Sequence, residues 1–151
     1  MPSISFGKIV LLLAFMAGCC LSELTEENDG ASWRREKRNL LQFAAMIRCA
    51  TKRSWLAYYG YGCWCGKGGS GNPVDATDIC CMIHDKCYDR ATAKGCRPYS
   101  DWYSRSGCTR CASDNDSCEK SICECDGAAA CCFRRSIYNA KYKRHRYRHS
   151  C

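Results

Sequence analysis

Tyr61 to Tyr88 reads YGCWCGKGGSGNPVDATDICCMIHDKCY. Five glycines (Gly62, Gly66, Gly68, Gly69 and Gly71) and two cysteines (Cys63 and Cys65) form a loop just ahead of a segment in which His84 and Asp85 stand side by side between cysteines. Backbone that lacks Cβ atoms folds tightly around something small, and a carboxylate one short element downstream suggests that this is a cation. Backbone carbonyls and a carboxylate are hard oxygen donors, which favour calcium over zinc. His84 then lies within reach of whatever the ion binds.

Working outward, Pro73 precedes a helix with Asp75 as its cap, running to about Arg90. On it Cys80, His84 and Cys87 stand at i, i+4 and i+7, a single stripe. Ser117 to Phe133 reads as a second helix, SCEKSICECDGAAACCF, in which Cys125 and Cys132 are also seven apart with alanines between them. Matching spacing allows two antiparallel helices to be stapled face to face, Cys87 to Cys125 and Cys80 to Cys132. That register sets His84 opposite the turn that begins at Asp126. Cysteine positions alone leave other connectivities open. Between Gly95 and Cys111, aromatics and turn formers suit a short two-stranded hairpin.

Asn39 opens a further helical pattern, NLLQFAAMIRCATK, whose apolar face (Leu40, Leu41, Phe43, Ala44, Met46, Ile47) is wider than a half-buried helix needs. It is either a core helix or one whose rim meets a lipid interface. Trp55, Tyr58 and Tyr59, interleaved with Lys52 and Arg53, suit a membrane interface or ordinary packing equally. The tail KYKRHRYRHSC is basic and aromatic; it reads as solvated or as an anionic-surface contact.

The chain has 151 residues, 17 of them cysteine, which marks a disulfide scaffold made in an oxidising compartment. Lys8 followed by the apolar run Ile9–Ala17 and small residues to Ser22 reads as a secretory signal over residues 1–22. Residues 23–38, ELTEENDGASWRREKR, end in the dibasic pair Lys37-Arg38 and read as a removable propeptide rather than a solvated linker. Processing leaves a single domain over residues 39–151. It removes five Lys/Arg and five Asp/Glu, so the net charge stays at +8. A secreted cation of this kind favours anionic surfaces, with membrane the expected partner and nucleic acid not. Fifteen cysteines remain once Cys19 and Cys20 leave, an odd count.

His145 and His149 lie in the basic tail, where a solvated role is expected. His84 has Asp85 beside it and Asp126 plausibly opposite, the held imidazole that general-base catalysis needs. No partner nucleophile is evident: Ser70 does not fit a G-x-S-x-G elbow, because Asn72 takes the place of the last glycine. The base would therefore activate water, with calcium polarising the substrate oxygen. A zinc site of Cys80, Cys81, His84 and Cys87 is the rival, which the many cysteines elsewhere disfavour.

These residues resemble the secreted, calcium-dependent phospholipase A2 enzymes. The family's loop pattern Y-G-C-x-C-G-x-G-G-x-G-x-P-x-D matches Tyr61 through Asp75, and its D-x-C-C-x-x-H-D-x-C-Y pattern matches Asp78 through Tyr88. Cys123-Glu124-Cys125-Asp126 matches a further motif, and the likeness covers residues 39–151. Cys49 and Cys108 place it with the pancreatic and elapid-venom branch, and the short Cys96–Tyr99 link with the elapid form. The resemblance implies a mainly α, disulfide-rich fold: an N-terminal helix, two long stapled helices, a calcium loop and a two-stranded wing. It implies hydrolysis of the sn-2 ester of phospholipids to a fatty acid and a lysophospholipid.

It assigns His84 as the base that takes a proton from attacking water, Asp126 as its orienting partner, and Tyr88 and Tyr103 as donors to Asp126. One calcium ion would be held by Asp85 and the carbonyls of Trp64, Gly66 and Gly68, with the Gly66 N–H helping to stabilise the oxyanion. The implied disulfides are Cys49–Cys108, Cys63–Cys151, Cys65–Cys81, Cys80–Cys132, Cys87–Cys125, Cys96–Cys118 and Cys111–Cys123. Cys131 falls where the family has an apolar residue. It is expected to be the leftover thiol, buried and inert in a monomer, with a disulfide-linked dimer as the alternative. A non-enzymatic binding protein or toxin on the same scaffold is the rival function, and the presence of Asp85, His84 and Asp126 argues against it.

Overall fold

Two aspartates start the long helices. The Asp75 carboxylate accepts from the Asp78 N–H at the head of one. Asp116 accepts from the Cys118 and Glu119 N–H groups at the head of the other, and Glu119 reaches back to complete a capping box. A computed structural model of the chain describes residues 39–147 and 149–151. It contains three α-helices among them, α1 (Asn39–Thr51), α2 (Ala76–Ala93) and α3 (Ser117–Arg135), three single-turn 3-10 helices, and one hairpin, β1 (Arg105–Ser106) with β2 (Arg110–Cys111). The signal and propeptide expectations fall outside the described residues.

Cys80–Cys132 and Cys87–Cys125 join α2 to α3 in reversed order, so the two helices run antiparallel. Small residues keep them close: Ala129 and Ala130 are buried on α3. At Gly127 an added Cβ would stand 2.3 Å from the Thr109 carbonyl oxygen, so only glycine lets the hairpin lie against the helix there. The hairpin is short and antiparallel, Arg105 opposite Cys111 and Ser106 opposite Arg110. Cys111–Cys123 fastens it to α3, while Cys96–Cys118 ties the preceding link to the same helix.

The wide apolar face of α1 is both core and rim. Met46 and Ile47 are buried, Met46 among Tyr88, Ile122 and Cys123, Ile47 among Tyr58, Tyr61 and Phe133. Leu40 and Leu41 are about half exposed. Cys49–Cys108 holds the end of this helix, Cys65–Cys81 holds the loop to α2, and Cys63–Cys151 holds the tail. A disulfide of this size of loop contributes about 2–4 kcal/mol, chiefly by constraining the unfolded chain. Seven of them supply what a small core does not.

Cys131 corrects the expectation of an idle, buried thiol. It is half-buried and disulfide-bonded.

Candidate active site

His84 lies midway along α2 and Asp126 lies on α3, with the two helix staples on either side of the pair. His84 Nε2 stands 2.7 Å from Asp126 Oδ1. Asp126 is fully buried. Tyr88 donates its hydroxyl to Oδ1 at 2.7 Å, and Tyr103 donates to Oδ2 at 2.6 Å. A buried carboxylate needs such compensation, because a buried charge without partners is costly. Burial, and then the negative Asp126, push both tyrosine hydroxyls far above their ordinary pKa, so both remain donors.

Because a carboxylate only accepts, the proton of the neutral imidazole belongs on Nε2, which leaves the Nδ1 lone pair available. Among the described residues Nδ1 has no hydrogen-bond partner. Phe43 of α1 stacks on the imidazole with ring centres 4.4 Å apart, and Tyr88 lies 4.2 Å away on a tilt. Gln42 of the same helix bonds the Tyr103 backbone through both its amide atoms. The ring is thus held by α1, α2 and α3 together, with a side-chain exposure of 10%.

His84 opens on a cavity of about 780 Å³. Most of its wall is apolar, including Leu41, Phe43, Ile47, Tyr58 and Phe133; Gly66, Lys67, His84 and Asp85 form its polar part. This combination suits a ligand with a long apolar body and one polar reacting group.

Asp78 organises the loop beside the cavity. Its carboxylate is fully buried and accepts from three backbone N–H groups, those of Cys63, Trp64 and Val74, at 2.8, 2.8 and 3.0 Å. The approach requires Gly62, whose φ is 55° and whose added Cβ would fall 2.2 Å from the carboxylate carbon. Asp75 adds a second brace, accepting from the Tyr61 hydroxyl at 2.5 Å.

Asp85 is half-buried, and burial lifts its carboxyl to about 6; His84 and Arg146 pull it down, while Asp89 pushes it up. A carboxylate held at this cost beside a loop of backbone carbonyls fits a hard divalent cation. The donor chemistry does not fit a soft metal. Cys80, Cys81 and Cys87 are all in disulfides, which removes the zinc alternative. Cys63, Cys151 and His145 also converge, but the two sulfurs are bonded to each other.

The structure brings His84, Asp126, Tyr88 and Tyr103 into one network and sets Asp85 and Gly66 along the same cavity. Trp64 and Gly68 are on the same loop without lining that cavity, and the Gly68 carbonyl accepts from Arg146. Three contributors were not visible in the sequence reading. Asp78 could have been found from its place three residues after the helix cap, which turns its side chain back toward the loop. Phe43 is indistinguishable from any core aromatic by pattern, and Arg146 sits in a tail that reads as solvated or as an anionic-surface contact.

Comparison with known proteins decides the family. A family model described as Phospholipase A2 matches residues 40–143. An acidic phospholipase A2 from Naja oxiana is 51% identical over 106 residues, covering 67% of this chain and 89% of that protein. A basic phospholipase A2 from Bungarus caeruleus is 50% identical over 106 residues, covering 67% and 77%. The chain belongs to the phospholipase A2 family. Its likeness is to the elapid type, and the activity that goes with the family is phospholipid ester hydrolysis. The phospholipase A2 A1 chain of beta-bungarotoxin from Bungarus flaviceps flaviceps is 47% identical over 110 residues, 70% of this chain and 75% of that protein. Among the described residues no helix is long and apolar enough to cross a membrane.

Proposed function

We propose that this phospholipase A2 is a secreted, calcium-dependent 2-acylhydrolase in which His84 activates water. The observation that carries the reading is the 2.7 Å contact of His84 Nε2 with a fully buried Asp126, beside a cavity that Asp85 and Gly66 share. The phospholipid enters with its acyl chain along the apolar wall. Nδ1 of His84 takes a proton from water as the oxygen attacks the sn-2 carbonyl, and returns it to the leaving glycerol oxygen. Asp126 fixes the tautomer and stabilises the imidazolium, and Tyr88 and Tyr103 hold Asp126. The Gly66 N–H donates to the developing oxyanion. Asp85 and the carbonyls of Trp64, Gly66 and Gly68 hold one calcium ion. Bound calcium supplies polarisation of the ester carbonyl and positive charge for the oxyanion.

Residues 1–22 act as the secretory signal and residues 23–38 as a propeptide whose removal frees Asn39, so the enzyme is made as a zymogen. It works as a monomer on membrane or micelle surfaces, prefers anionic lipid, and has no nucleic-acid partner. The net charge of +8 and the exposed apolar residues that line the cavity support the lipid-surface part of this reading.

Two variants separate the roles. His84→Gln is expected to lower turnover by about 10³-fold or more while calcium still binds in calorimetry. Asp85→Asn is expected to abolish calcium binding and turnover together. Full turnover in His84→Gln would refute the base assignment, and unchanged calcium binding in Asp85→Asn would refute the ligand assignment.

A further inference from the structure

The basic tail folds back on the glycine loop instead of leaving it. Cys151 is bonded to Cys63, and the Cys151 carbonyl oxygen would stand 1.8 Å from a Cβ added at Gly71. Gly62 donates its N–H to the Tyr142 carbonyl at 3.0 Å. The Tyr147 ring lies against Gly60, where an added Cβ would come within 2.3 Å of it. Between these anchors Arg146 sends its guanidinium into the loop, donating Nη1 to the Lys67 carbonyl at 2.9 Å and Nη2 to the Gly68 carbonyl at 2.7 Å. The same guanidinium passes 3.6 Å from a Cβ built at Gly66.

A guanidinium presents a planar fork of donors and is positive at every working pH. Here the fork spans two consecutive carbonyls of the loop that, on the reading above, takes the divalent ion. We propose that Arg146 is a chain-borne competitor for that ion, holding the Gly68 carbonyl until the ion displaces it. This inference rests on the calcium role given to Gly68 and Asp85. One lone pair of the Gly68 oxygen is already engaged, and a divalent ion on the other would stand a few ångströms from a positive charge. Like charges at that separation repel strongly enough to shift an affinity by about tenfold even in a water-like medium. Loading the site therefore moves Arg146 out of the loop, while the disulfide at Cys151 keeps the tail tethered nearby. The tail thereby sets how much calcium the enzyme needs.

The test is calcium titration by calorimetry on the disulfide-intact protein, comparing wild type with Arg146→Gln and with Lys143→Gln. Lys143 is an exposed cation of the same tail whose side chain makes no contact with the loop carbonyls. Arg146→Gln is expected to bind calcium about tenfold more tightly at low salt, with the gain shrinking as ionic strength rises. Lys143→Gln is expected to change affinity less than twofold. Equal affinity in wild type and Arg146→Gln, or an equal gain in both variants, would overturn the competition while leaving the calcium site standing. Absence of calcium binding in every protein would overturn the calcium reading itself, and this inference with it.

Discussion

The imidazole of His84 is useful only because of what fixes its far side. Asp126 receives three donors, from His84, Tyr88 and Tyr103, so removing a tyrosine hydroxyl leaves a fully buried carboxylate short of one. Tyr103→Phe is expected to destabilise the protein by about 1.5–3 kcal/mol, the usual worth of a hydrogen bond to a charged group. Chemical denaturation checks it, and Tyr88→Phe with Tyr103→Phe together should cost more than either alone. Asp85 carries the pH dependence. Its carboxyl is lifted from the ordinary 3.8 to about 6. Between those values the folded chain keeps a proton that the unfolded chain has released, so this group's contribution to stability falls as pH rises through that window. Calcium affinity moves the other way, because the ion needs the ionised form. Affinity is expected to weaken about tenfold per pH unit below about 6. Titrations across that range check it, and a flat profile would contradict the assignment of Asp85 as ligand.

At the scale of elements, the loop depends on a side chain from the helix that follows it. Asp78→Ala removes the acceptor of three backbone N–H groups at once. It is expected to lower stability by about 3 kcal/mol or more and to weaken calcium binding with Asp85 intact. Thermal unfolding and calcium titration measure the two effects. The helices themselves were legible in the sequence: Asp75 is where a cap was expected, and the seven-residue cysteine steps that suggested staples on α2 and α3 are bonded in that way. The helix ends were less legible: α2 runs on to Ala93 and is closed just beyond it by Gly95, whose φ is 87°, while α3 runs to Arg135 with no glycine in its closing turn. The tail was legible in part: the resemblance implied the Cys63–Cys151 bond that anchors it, and that bond is present, but its charge gave no sign of the contact with the loop. A run of arginines, lysines and histidines has no apolar period, yet the bond from Cys151 to Cys63 and the tyrosines Tyr142 and Tyr147 lay it on the loop. That contact is long-range in sequence, and no local pattern encodes it.

On the whole molecule, the cavity is lined by Leu40, Leu41, Trp55, Tyr59 and Tyr99, each between 44% and 65% exposed, and Leu56, next to Trp55 in the chain, is 57% exposed. Leucines and aromatics grouped in this way mark a surface for an apolar partner, and a net charge of +8 draws the molecule toward anionic lipid. Leu41→Asp with Leu56→Asp is expected to cut hydrolysis of vesicles at least tenfold while sparing a short-chain monomeric substrate. Vesicle assays against monomer assays separate the two, and equal losses in both would show that the substitutions damage the site instead. The account as a whole joins one imidazole, one carboxylate pair and one cation site into a single ester-cutting device. Its most direct test is to give the processed, disulfide-intact protein vesicles of a phospholipid with different acyl chains at its two positions, with calcium and then with a chelator. Release of the sn-2 fatty acid alone, abolished by the chelator, is the predicted result. Release of the sn-1 chain, or hydrolysis that persists when calcium is removed, would contradict it.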